Sequence, residues 1–227
     1  MDNGNKILFA WDFHGVLEKN NEKAVRELCN LVFDELKINR KITLQEVMDW
    51  YGLSWFDYFK LAVPEGNEEL WKAMVNKVRT FRERGWETIK QYIQPRDYAR
   101  EVLSNIKSQK HQNIIITNSS QESANRFVNF VNLRDYIDEI IGIDNHDFSR
   151  INTALHDVKS QILAEFLKDK NYKKVVVIGD RKSDIEAGKK VGATTYFFHN
   201  LHFNRDPQNI EADYTITDLR EVLRELE

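Results

Sequence analysis

After Pro95 the chain alternates short unbroken apolar runs with amphipathic stretches, and this alternation restricts the possible folds more than any other feature. The runs are Ile114 to Ile116, Ile137 to Ile143, Val175 to Ile178 and Thr194 to Phe198, with an earlier one from Lys6 to Trp11. Strands apolar along their whole length must be buried on both faces, as in a parallel sheet covered by helices. Between them lie helical patterns: Tyr98, Ala99, Val102, Leu103 and Ile106; then Asp157 to Leu167; then Ile185 to Lys190; and a closing helix from Asp218. Right-handed crossovers place such helices on both sides of the sheet. The expected fold is therefore α/β, a Rossmann-like three-layer parallel sheet core.

Residues 18 to 94 read differently. Apolar positions Ala24, Val25, Leu28, Leu31, Val32 and Leu36 recur at helical spacing. Thr43 with Glu46 forms a capping-box pattern, and Ile42 and Val47 are spaced as a hydrophobic staple. Leu70, Trp71, Met74, Val75, Val78 and Phe81 mark another helix, which Gly85 would close. The aromatic stretch from Asp49 to Phe59 reads as bundle interior or as the floor of a substrate pocket. No strand is expected here, so residues 18–94 form an all-helical insertion, and residues 1–17 with 95–227 form the core domain.

Charge and cysteine content narrow the function class. With 33 basic and 36 acidic residues the net charge is −3, so no strong field recruits nucleic acid or an anionic membrane. A small soluble partner is the expectation. Cys29 is the only cysteine, placed on the apolar side of a helix; internal disulfides are impossible and a reducing compartment fits. The N-terminal apolar run is too short for a signal peptide and no later run is long enough to span a bilayer, so the cytoplasm is the expected location.

Polar residues follow the apolar runs directly: Asp12, then Thr117 with Asn118, then Gly179 with Asp180. In open parallel sheets, ligands bind at the carboxyl ends of the strands. Asp12, Asp180 and Asp184 are expected to converge there, and carboxylates brought together repel unless a hard cation offsets them. Few carboxylates and no cysteine–histidine cluster point to Mg²⁺ rather than zinc. Taken singly, Asp12 could be a turn residue, and Thr117 and Asn118 could cap the next helix.

The segments WDFHGVL at 11–17, IIITNS at 114–119, Lys159, and VIGDRKSDIEAG at 177–188 resemble, in order, the four motifs of the haloacid dehalogenase superfamily, and phosphoglycolate phosphatase-like members in particular. The resemblance implies that Asp12 is a nucleophile accepting a phosphoryl group. It further implies that Thr117 and Asn118 bind the substrate phosphate and that Lys159 neutralises it. Asp12, the carbonyl of His14, Asp180 and, through water, Asp184 would hold Mg²⁺. The helical insertion would be the family's cap. The implied activity is hydrolysis of a small phosphorylated metabolite by a monomer or homodimer. A phosphotransferase or mutase, or a catalytically silent binding protein, are the alternatives. Lys159 sits at the family's interval before the acidic motif, although a lysine opening an amphipathic helix is otherwise solvated and Lys168, Lys170, Lys173 and Lys174 lie nearby.

One position departs from the pattern. Where the family's phosphatases carry an aspartate two residues after the nucleophile, this chain has His14. Histidine can transfer protons near neutrality, yet a nearby Mg²⁺ would disfavour imidazolium and leave a weak acid. A purely space-filling role is the third reading.

Overall fold

The computed structural model describes residues 4–84, 86–144, 155–201, 203 and 209–227. Contacts divide the chain into two units, Met1–Lys19 with Gln94–Glu227, and Asn20–Ile93.

The first unit is built on a six-stranded parallel sheet. Its strands are β1 (Ile7–Trp11), β4 (Gln112–Thr117), β5 (Glu139–Gly142), β6 (Lys174–Gly179), β7 (Thr194–Phe198) and β8 (Tyr214–Ile216), in the spatial order β5-β4-β1-β6-β7-β8. The α/β, Rossmann-like core is as expected from the apolar runs. Period-two alternation sends Leu8 and Ala10 to one face, where they pack with Ile114, Ile116, Val177, Leu163 and Phe166. Leu163 and Phe166 come from α8 (Leu155–Leu167), which packs beside α9 (Lys182–Lys190). Phe9 and Trp11 alternate with those residues and are also fully buried. The sheet is therefore covered on both sides, with α6 (Ala99–Ser108) packed against β4 and against a tight helical segment at Leu219–Leu226. Asp218 caps that segment with Glu221, but its turns are 3₁₀ rather than α.

The second unit is helical: α1 (Asn21–Glu35), α2 (Leu44–Asp49), α3 (Trp55–Ala62), α4 (Glu68–Arg84) and α5 (Trp86–Lys90). The Thr43–Glu46 capping box forms, Glu46 N–H donating to Thr43 Oγ1 and Thr43 N–H to Glu46 Oε2. The aromatic stretch faces inward, because Trp55, Tyr58 and Phe59 are buried and Phe59 stacks with Trp55 and meets Phe33 edge-on. Burial pushes the Cys29 thiol pKa upward, so it packs as an apolar group. Gly85 lies outside the described residues. No described helix is long and apolar enough to cross a membrane.

The expectation that no strand occurs between residues 18 and 94 is corrected. β2 (Glu18–Lys19) pairs antiparallel with β3 (Gln94–Pro95) where the chain enters and leaves the helical unit. Two-residue strands carry no hydrophobic period, so only non-local pairing reveals them. The helix α7 (Gln121–Phe130), capped by Ser120, separates β4 from β5.

Candidate active site

The strand order makes β4, β1 and β6 neighbours, so their carboxyl ends form one edge. Asp12 follows β1 directly and extends the pairing by one residue, its N–H donating to the Ile178 carbonyl at 2.8 Å. The chain then turns back on itself. The N–H groups of Val16, Leu17 and Glu18 all converge on the Phe13 carbonyl, and Gly15 supplies the left-handed φ of 87° that this turn requires. Arg96 fastens the turn from outside, its Nη2 donating to the carbonyls of Gly15 at 2.9 Å and Glu18 at 3.1 Å.

Thr117 ends β4 and is buried, and the following Asn118 is half-buried. Ser119 is buried beyond them. Gly179 ends β6; a Cβ there would collide with the side chain of Asp184, so glycine lets that carboxylate fold over the strand end. Asp180 follows, 1 % exposed. Asp184 lies in the first turn of α9, where its Oδ2 accepts the Arg181 N–H at 3.1 Å and the helix dipole favours a negative group.

The expected convergence occurs. Asp12, Asp180 and Asp184 each offer an oxygen, and these three atoms lie within 4.8 Å of one another. Lys159 reaches the same point from α8. Its Nζ sits 2.8 Å from Asp12 Oδ1 and 2.5 Å from Asp184 Oδ1, with the side chain almost wholly buried. Burial works against the charged amine, but the two carboxylates outweigh it and raise the Lys159 pKa, so the amine is held charged. Burial and the Asp12 charge push the Asp184 pKa up, against the pull of Lys159. Asp12 and Asp184 thus share one buried ammonium, and Asp180 lies 3.7 Å from Arg181 Nε. The donor set is all oxygen and its negative charge exceeds its positive charge, which fits a hard divalent cation.

His14 is bonded through both ring nitrogens. Nδ1 lies 2.9 Å from Glu18 Oε1, and Nε2 lies 3.0 Å from Ser119 Oγ. Phe13 and Phe127 meet the ring edge-on at centroid distances of 5.1 and 4.8 Å.

The family model of the haloacid dehalogenase-like hydrolases matches residues 8–198. The chain belongs to that family. It is accordingly an enzyme, a haloacid dehalogenase-like hydrolase. Among its relatives is a protein from Caldanaerobacter subterraneus subsp. tengcongensis with the provisional name of a pyrophosphatase, PpaX, 22 % identical over 96 % of this chain and 92 % of its own. A phosphoglycolate phosphatase from Aquifex aeolicus is 27 % identical over 52 % of this chain and 53 % of its own. The solved structure of a hydrolase of the haloacid dehalogenase-like family from Streptococcus pneumoniae superposes with a TM-score of 0.78 at 16 % identity, covering 99 % of each chain. That likeness is one of fold.

Three further residues of this dehalogenase-like site had no role assigned from sequence: Glu18, Ser119 and Arg96. Glu18 stands four residues after His14, a spacing visible in the sequence, but its complete burial depends on the turn around Gly15. Ser119 and Arg96 reach the site through contacts with residues far along the chain, which leave no local signal.

Proposed function

We propose that this hydrolase cleaves a small phosphomonoester through an aspartyl-phosphate on Asp12. The observation that carries the reading is the Asp12–Lys159 contact of 2.8 Å inside a cluster of three carboxylates at the sheet edge. Lys159 screens the Asp12 oxygen and would stabilise the charge of the transferring phosphoryl group, a preorganised electrostatic role in a water-poor site. An Asp12 oxygen attacks phosphorus as the bond to the leaving oxygen breaks, and that oxygen takes up a proton. Water then attacks the aspartyl-phosphate, releasing inorganic phosphate and the carboxylate.

Thr117 and Asn118 at the end of β4 would bind the phosphate oxygens. Asp12, Asp180, the His14 carbonyl and, through water, Asp184 would hold Mg²⁺, which would supply charge neutralisation at the phosphate. His14 would be the side chain that handles the proton. The helical unit, residues 18–94 as read from sequence, serves as the cap that selects the substrate, and residues 1–17 with 95–227 carry the chemistry. The net charge of −3 and the single buried cysteine support a small metabolite as substrate and a cytoplasmic setting.

The test is hydrolysis of p-nitrophenyl phosphate with and without Mg²⁺ by the wild type and by Asp12→Asn. The amide is nearly isosteric but cannot attack phosphorus, so turnover should fall by several powers of ten while the fold is kept. Near-normal activity in the variant, or a wild type indifferent to Mg²⁺, would discard the mechanism.

A further inference from the structure

Glu18 is 0 % exposed. Its Oε1 accepts the Gly15 N–H at 3.2 Å and meets His14 Nδ1 at 2.9 Å, and its Oε2 has no hydrogen-bond partner among the described residues. A carboxylate buried in this way costs stability that an apolar side chain of similar volume would not. The side chain that this carboxyl meets is the His14 imidazole, four residues earlier on the same turn. The turn that carries both residues is fixed independently, by three N–H groups on the Phe13 carbonyl and by Arg96 on the carbonyls of Gly15 and Glu18.

We propose that Glu18 is a positioning residue for His14, fixing which ring nitrogen carries the proton and which one faces the reaction. The assignment rests on the reading of His14 as the proton-handling group beside Asp12. Its logic is one of hydrogen-bond polarity. An ionised carboxylate oxygen only accepts, and Oε1 already accepts from Gly15, so Nδ1 must donate. Nε2 is then the nitrogen left to exchange a proton. It lies against Ser119, which follows Thr117 and Asn118 on the loop after β4. Two aromatic edges hold the ring plane. Glu18, His14 and Ser119 thereby form a continuous hydrogen-bonded line from a buried carboxylate to the phosphate-binding loop. In the hydrolytic step Nε2, which carries no proton in this tautomer, takes one from the attacking water, and the imidazolium so formed gives that proton to the leaving oxygen in the next cleavage step. Nδ1–H stays with Glu18 throughout.

The experiment combines long-range ¹⁵N–¹H NMR of the His14 ring with steady-state kinetics on glycerol phosphate, for the full chain and its Glu18→Gln and Glu18→Leu variants. The wild-type ring should show the Nδ1–H tautomer, and Glu18→Leu should shift it toward Nε2–H. Loss of an orienting partner should lower kcat by about 10 to 100-fold with KM nearly unchanged. Glu18→Gln keeps an acceptor oxygen opposite the Gly15 N–H, so it should keep the tautomer and recover most of kcat. A wild-type ring protonated on Nε2, or a Glu18→Leu variant with unchanged kcat, overturns the assignment. If Glu18→Leu does not fold, the wild-type spectrum and the Gln variant decide the matter. A wild type that hydrolyses no phosphomonoester sinks the phosphatase reading instead, and the spectra still decide whether Glu18 fixes the ring.

Discussion

A Cβ placed on Gly15 would lie 2.5 Å from Asp180 Oδ2, so the turn after β1 and the carboxylate after β6 are fitted to each other at van der Waals contact. Gly15 also has a φ of 87°. Gly15→Ala should therefore cost about 1 to 2 kcal/mol from the left-handed backbone alone. It should also displace Asp180 and weaken Mg²⁺ binding. Thermal unfolding and calorimetric Mg²⁺ titration would register the two effects separately, and a variant with wild-type metal affinity would show that the fit is slack.

Removing Lys159 leaves Asp12 and Asp184 buried without the ammonium that bridges them. Lys159→Met should destabilise the fold by about 3 to 5 kcal/mol, the usual cost of stripping one partner from a buried ion pair. Urea unfolding measures it. Added Mg²⁺ should restore part of the loss, because the cation then answers the same carboxylates.

Mg²⁺ should raise the wild-type melting temperature, since a ligand present at about one hundred times its Kd adds about 2.7 kcal/mol. Asp180→Ala should abolish the rise. Asp184→Ala should weaken metal affinity by about 10 to 100-fold, as expected for a group acting through water. Equal metal-induced shifts in all three proteins would mean that the cluster is structural.

The His14–Glu18 contact governs what His14→Asp should do. Restoring the family's aspartate alone would set a second carboxylate against the buried Glu18. The single variant should lose stability, and the double variant His14→Asp with Glu18→Leu should recover it, with a coupling energy of about 1 to 3 kcal/mol in the double-mutant cycle. Additive effects would mean the two residues are independent. In the double variant, alkyl phosphates should gain more than aryl phosphates if His14 is a weak acid, and equal gains would reject that idea.

His111 makes stability depend on pH away from the site. Its Nδ1 accepts the Ile7 N–H at 3.2 Å, and burial followed by the Lys173 charge lowers its pKa. A depressed histidine pKa means that the unfolded chain binds the proton more readily. The stabilising contribution is therefore present above the unfolded pKa of about 6.5 and is lost as pH falls through it. Urea midpoints at pH 8 and pH 5.5 should separate more for the wild type than for His111→Gln, which accepts the same N–H without titrating.

The sequence by itself determined the strands and the polar tips. Ile114 to Ile116 and Val176 to Ile178 are buried on both faces, and a continuous apolar run is the direct imprint of that burial. The Thr43–Glu46 cap was equally legible, because its partners are three residues apart and bond to their own backbone. Asp12, Asp180 and Asp184 could be placed at one sheet edge since Asp12 and Asp180 directly follow strands and Asp184 lies four residues beyond Asp180. Periodicity, however, reports only that a residue is buried, and not what it meets. The interval to the acidic motif pointed to Lys159, but only the tertiary structure brought its Nζ between Asp12 and Asp184. It alone paired Glu18–Lys19 with Gln94–Pro95 and buried the Glu18 carboxylate beneath His14. Those arrangements depend on side-chain direction and on closing long loops, whose entropic cost is met by the whole packed sheet rather than by any local run of residues.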